Sequence, residues 1–326
     1  MDELRERLET HVGRPMGPPA EAPDPVNVPM IRHWVDALDD RNPVYLDEDF
    51  AKTTRFGGTV APPAMLQAWT MPRPKIEGIA ERGGAPGEVD PDSPLRVLDA
   101  AGYVGTLATN SELEFARYLR PGEALRTAIE IESISERKTT GLGQGYFVTW
   151  VTTYTDAKGD VVGRQRFRIL KFDPSTIGQG TAERGPRGEP KPEPAPIEAL
   201  PDFDLPVTAT LVVAGAIASR DFMPVHHDRD YAKAQGAPDI FMNILTTNGY
   251  VARYATDWAG AEARLRRIAI RLGGPAIPGH VLRFGGIVVG EERRCGELAL
   301  ALSVKAVNAL GMHASGTVSL TLPASR

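Results

Sequence analysis

Two thirteen-residue stretches of this 326-residue chain are copies of one another, and only one holds both parts of an acid/base pair. The copy from Asp221 to Lys233 places a carboxylate, Asp221, five residues before an imidazole, His226, with Pro224 between them. The copy from Asp40 to Lys52 matches it at seven of thirteen positions, but Tyr45 stands in the place of His226. Unrelated stretches of ordinary composition agree at roughly one position. A proline-containing turn can aim both side chains at one water molecule, where a helix would splay them. An imidazole transfers protons near neutral pH. A phenol, with an unperturbed pKa of about 10, does not. The second copy is therefore expected to carry proton-transfer chemistry and the first to be silent.

The elements around each copy are also duplicated. An amphipathic helical pattern precedes both, over Met30–Leu38 and Leu211–Ala218, with Met30, Trp34 and Leu38 marking one apolar face. Asn27 and Thr208 are the expected N-caps. A second helix follows each copy. Then come extended stretches joined by the Pro-Gly turns Pro121-Gly122 and Pro278-Gly279. Alternating strands are expected over Leu125–Ile134, Gly145–Tyr154 and Val161–Phe172, then Val281–Val289, Glu297–Val307 and Thr317–Leu322. Each half reads helix, helix, antiparallel meander. Residues 173–205 are rich in Pro, Gly and Glu and read as an extended tether between a first domain, 1–172, and a second, 206–326.

The halves differ in length at one place. Pro121 lies 55 positions after Leu66, and Pro278 only 33 after the matching Leu245, a difference of 22. Pro72 and Pro74 should end the first half's second helix soon after Trp69. Arg73–Gly102 reads as a long surface loop. Asp239–Thr256 contains no proline and can form about four helical turns.

Bulk composition excludes several classes. A net charge of -5 argues against a nucleic-acid footprint. The single cysteine, Cys295, permits no internal disulfide and no cysteine-based zinc site, so no metal is expected. The charged N-terminus and the absence of a long apolar run point to a cytoplasmic protein without a membrane span.

The motif Asp221-x-x-Pro224-Val225-His226, followed by Asp228 and Ala232, resembles the signature of MaoC-type (R)-specific enoyl-CoA hydratases. Met223 departs from it, standing where that family has Asn. The first copy keeps Asn42 but has Tyr45 for His. With a silent half bearing a shortened helix and an active half reading Gly236 to Leu245, the chain resembles a fusion of the paired MaoC subunits of actinobacterial steroid side-chain degradation. The resemblance implies an α+β double hot dog: two antiparallel sheets, each wrapped around a central helix, the N-terminal helix shortened. It further implies a homodimer of such chains.

The activity so implied is hydration of a trans-2-enoyl-CoA thioester, in particular one bearing a steroid. CoA is part of the substrate, and no separate cofactor is needed. Asp221 is then the base and His226 its co-activator and proton carrier. The oxyanion donor is expected at the start of the second helix, at the Asn243 backbone N–H with Met242 as neighbour. Phe56, Met65 and Trp69 are candidate lining residues of a wide apolar cleft, against a plain core role for each. Three alternatives stay open: hydration or dehydration of linear acyl thioesters, thioester hydrolysis, and a non-catalytic thioester-binding scaffold. His227 reads as a solvated neighbour, His33 as a structural or exposed residue between core positions of a helix, and His280 and His313, near turns, have no partner visible in the sequence. Arg264, Arg266, Arg267 and Arg271 suit CoA phosphates or a solvated strand edge equally.

Overall fold

The computed structural model describes residues 3–87, 90–178, 195–294 and 296–323. Residues 188–194 of the proline-rich run and Cys295 lie outside the described residues. The first half contains α1 (Glu3–Glu9), β1 (Ala20–Glu21), α2 (Val28–Leu38), α3 (Pro43–Leu46), α4 (Glu48–Thr53), α5 (Leu66–Thr70) and α6 (Pro94–Ala100). Its strands follow as β2 (Gly105–Phe115), β3 (Leu125–Ile134), β4 (Lys138–Thr140), β5 (Gly143–Asp156) and β6 (Val161–Phe172). The second half contains β7 (Glu198–Pro206), α7 (Ala209–Ala218), α8 (Arg229–Ala234) and α9 (Ile244–Ala259). It closes with β8 (Arg264–Leu272), β9 (Val281–Arg294), β10 (Glu297–Asn308) and β11 (Gly311–Pro323).

The strands form one antiparallel sheet in the order β1-β3-β5-β6-β2-β8-β11-β10-β9-β7, with β4 added to β5. Each half contributes its own meander. The two are joined by β2 against β8, from Asn110 opposite Arg271 to Glu114 opposite Arg267. Arg267 reinforces this seam by donating to Glu112 at 2.7 Å. The Tyr118 hydroxyl does so from within the core, accepting the Leu265 N–H at 2.8 Å.

The sheet wraps around α9. This helix is buried on nearly all sides, from Ile244 to Ala259, as a central helix must be. Two glycines allow its neighbours to come close. A β-carbon on Gly249 would sit 2.3 Å from Leu38 Cδ2 on α2, and one on Gly215 of α7 would sit 2.4 Å from Thr246 Oγ1. The Asn27 side chain accepts the Met30 N–H and Thr208 Oγ1 accepts the Leu211 N–H, so both expected N-caps form.

The sequence pattern misses four features. The buried face of α2 is Ile31, Trp34, Val35 and Leu38, with Met30 half-buried beside it. The stretch Arg73–Gly102 is not all loop: α6 lies within it, with Val97 and Leu98 buried. Its Asp99 takes a hydrogen bond from the buried Lys171 of β6. The end of the expected tether is strand β7, an edge strand, where Pro201 fits because the register shifts between Leu200 and Phe203. The second central helix begins at Ile244 rather than Asp239, because the Met242 N–H is taken by the Ala276 carbonyl at 2.9 Å and Asn243 caps the helix.

Candidate active site

Both copies of the repeat sit at the end of a helix that stops in the same way. Asp39 (φ 51°) follows α2 and Arg220 (φ 60°) follows α7, each in the left-handed conformation. The next residue, Asp40 or Asp221, returns its N–H to the helix, to Val35 or Ala216, at 2.9 Å in both cases. This helix-ending turn fixes where the carboxylate emerges. A side-chain turn follows: Asp40 Oδ1 accepts the Asn42 N–H at 3.0 Å, and Asp221 Oδ1 accepts the Met223 N–H at 3.3 Å.

In the second copy a one-turn 3-10 helix, Pro224–His226, then brings the imidazole back towards Asp221. His226 Nε2 lies 3.4 Å from Asp221 Oδ2. His226 Nδ1 lies 2.7 Å from the Phe241 carbonyl oxygen. A carbonyl only accepts, so Nδ1 carries a proton and donates to it, and Nε2 is the ring nitrogen that faces Asp221. The Nε2–Oδ2 separation is longer than the usual direct hydrogen bond. The Phe241 ring packs edge-on to His226 with centroids 5.0 Å apart, which fixes the ring plane. His226 is buried, while the Asp221 side chain keeps 17% of its exposure.

Asn243 ties this pair to α9. Its Nδ2 donates to Asp221 Oδ2 at 3.0 Å and to Ser219 Oγ at 2.8 Å, while its Oδ1 accepts the Thr246 N–H at 2.8 Å. One side chain thus caps the helix and holds the carboxylate. Among the described residues no acceptor takes the Asn243 backbone N–H, whereas the Met242 N–H is spent on Ala276. The N-terminal end of a 16-residue helix, with its positive dipole, faces the site.

Asp221, His226 and Asn243 are thus brought together. Phe56 stacks on Tyr118 with centroids 4.9 Å apart, and Met65 and Trp69 are enclosed in the core at 0% and 1% exposure. Their packing is core packing, and lining a cleft remains a proposal for them. Ser219, the Phe241 carbonyl and His313 had no signal in the sequence. His313 is buried, donates from Nδ1 to the Gly274 carbonyl at 2.9 Å, and presents Nε2 to Thr247 Oγ1 at 3.1 Å. Burial holds it below the ordinary histidine value, so it stays neutral behind the first turn of α9. His227 is exposed, as expected of a neighbour. Arg267 pairs with Glu112 and Arg266 with Glu297.

The first copy is different in kind. Tyr45 is enclosed, and burial pushes its hydroxyl well above the ordinary phenol range. Asp40 is also buried, and loss of solvent raises its carboxyl to about 6.

Residues 194–309 match the family model described as MaoC like domain, and residues 10–165 match the FAS1-like, dehydratase domain region. The 3-oxo-4,17-pregnadiene-20-carboxyl-CoA hydratase beta subunit of Mycobacterium tuberculosis is 43% identical over 123 residues, 92% of that protein. The chain belongs to the MaoC-like family. The alpha subunit of the same hydratase is 42% identical over 48% of its own length. A probable enoyl-CoA hydratase alpha subunit of Thermomonospora curvata is 42% identical over 59% of its length. The chain thus spans about half the length of these two relatives, and it resembles a fusion of alpha- and beta-type subunits. Among solved structures, a MaoC-like dehydratase superposes with a TM-score of 0.70 at 20% identity, covering 98% of this chain and 100% of that one. A Mycobacterium tuberculosis protein with a double hotdog fold gives a TM-score of 0.60 at 14% identity, covering 94% and 96%. The double hot dog architecture is therefore that of this MaoC-like chain. No helix among the described residues is long and apolar enough to cross a membrane.

Proposed function

We propose that the chain hydrates a trans-2-enoyl-CoA thioester, and that its substrate is a bulky steroid side-chain enoyl-CoA. The observation that carries the reading is the Asp221–His226–Asn243 cluster at the start of α9: a carboxylate and an imidazole side by side, beside an unspent backbone N–H. In this mechanism Asp221 and His226 hold the water, and as its oxygen attacks the β-carbon the proton passes by way of Asp221, the base, to His226 Nε2. The imidazolium so formed returns a proton to the α-carbon. The negative charge gathering on the thioester oxygen is met by the Asn243 N–H and the helix dipole. One such donor is typically worth about 3 kcal/mol of barrier. Side chains and a helix terminus perform every step, and CoA enters only as part of the substrate.

The steroid assignment is supported by the named activity of the Mycobacterium tuberculosis relatives. The five-residue α5, against the 16 residues of α9, leaves the first half less helix beside the site. Phe56, Met65, Trp69 and Met242 are proposed to border the acyl cleft, and two chains are proposed to pair in solution. Incubation with crotonyl-CoA and with a steroid enoyl-CoA, following enone absorbance and free thiol together, tests the reading. Loss of absorbance without thiol release is expected, with the steroid thioester preferred. Thiol release would identify a thioesterase instead, and preference for a linear acyl chain would overturn the substrate assignment.

A further inference from the structure

The extra length of the first half and the one departure from the motif in the second half meet in space. Residues 75–86 of the insertion close into a compact loop. The Lys75 N–H donates to the Pro86 carbonyl at 2.7 Å, and the Arg82 guanidinium donates to the carbonyls of Lys75, Glu77 and Ala85. Gly84, with φ +87°, lies directly on Met223. A β-carbon there would sit 2.5 Å from Met223 Cγ, 3.3 Å from its Cβ and 3.4 Å from its Cα. Met223 in turn donates its N–H to Asp221 Oδ1. In the first copy the aligned Asn42 stiffens its own turn by accepting the Val44 N–H at 3.2 Å. Met223 can make no such bond, and the second turn has no side-chain cap. The local hydrogen bond has been exchanged for an apolar contact with a loop that only the first half possesses. The other flank is held too. Arg220, which precedes Asp221, lies 3.8 Å from Asp24, and Asp24 also pairs with Arg73 at the start of the insertion.

We infer that loop 75–86 of the first half is a positioning element of the second half's site, and that Met223 is the positioning residue through which Gly84 holds the Asp221–His226 turn. A half that lacks its own base thereby supplies a wall that the active half needs. The kinetic part of this inference rests on the hydratase reading.

The test is a double-mutant cycle of Gly84→Ala and Met223→Ala, read by kcat, KM and thermal unfolding. Gly84→Ala drives a methyl group into Met223 and should lower kcat about tenfold with little change in KM, because small displacements of reacting groups are costly in rate. Met223→Ala should lose a similar factor. The double variant should be no worse than either single by more than about twofold, since residues in contact are not additive. Met223→Asn, which restores the local cap, should recover most of the activity. Wild-type kcat in both single variants, or losses that multiply in the double, would overturn the inference. If the wild type turns over no enoyl-CoA, the hydratase reading has failed on its own. The loop is then judged by the NMR titration of the His226 imidazole. Gly84→Ala must shift it in the wild-type background and not in the Met223→Ala background, and the absence of that pattern would overturn the inference.

Discussion

At the scale of single residues, the two repeats place their aspartates in different environments. Asp221 keeps a donor on each oxygen and part of its exposure, while Asp40 is buried and has Tyr45 in the place of the imidazole. The sign of the pH effect follows for Asp40. Its folded pKa, about 6, lies above the ordinary carboxyl value of 3.8, so the folded state holds the proton more tightly. That contribution to stability is complete below the unfolded value and is lost as pH rises through about 6. Asp40→Asn keeps an oxygen for the Asn42 N–H and removes the buried charge. Its advantage over the wild type should therefore grow from near zero at pH 4 to roughly 2–3 kcal/mol at pH 7.5. Denaturant titrations at the two pH values check this. Asn243 tests the other copy. Asn243→Ser should keep the α9 cap and hold its unfolding temperature, yet lose about tenfold in kcat because Asp221 loses its amide donor. Asn243→Ala should lose the same activity and about 1 kcal/mol of stability besides. Asp221 and His226 stood out in the sequence because a duplicated chain shows its own altered position. The side-chain role of Asn243 did not, because it arises only when α7 and α9 pack with Gly215 between them.

At the scale of elements, the helix and strand pattern was largely legible, because Asn27 and Thr208 cap where a cap is needed and the Pro-Gly turns fall between strands. What escaped was decided by distant partners. The buried Lys171 takes hold of Asp99 and so fixes α6 inside a stretch whose composition reads as loop. Residues 198–206 become a strand because β9 offers a free edge. Gly249 belongs to the same class of unreadable positions. Alanine there would raise helix propensity by about 1 kcal/mol. Its β-carbon, however, would strike Leu38 and Trp34, both enclosed in the core and unable to give way. Overpacking of this kind costs about 1–3 kcal/mol. Gly249→Ala should therefore lower the unfolding temperature despite the better helix former, and a gain would show that α2 and α9 pack more loosely than described.

At the scale of the whole molecule, a single sheet runs through both halves, and the seam at β2 and β8 makes each half part of the other's core. The Tyr118 hydroxyl takes the Leu265 N–H across that seam inside the core. Tyr118→Phe would leave a buried amide unpaired and should cost about 1–3 kcal/mol, seen as a lower urea midpoint. The same continuity explains how a half without a base is retained: it braces α9 through Ser111 and Asn248 and closes a loop over Met223. In the proposed mechanism all of this serves one pair of side chains, Asp221 and His226. The most direct test is kcat for enoyl-CoA hydration in Asp221→Asn, His226→Ala and the double variant, with unfolding temperatures confirming that each is folded. Groups acting as a unit should each cost at least about a hundredfold, with the double variant scarcely worse than the single ones. Turnover near the wild-type rate in either single variant, or two losses that simply multiply, would contradict the account.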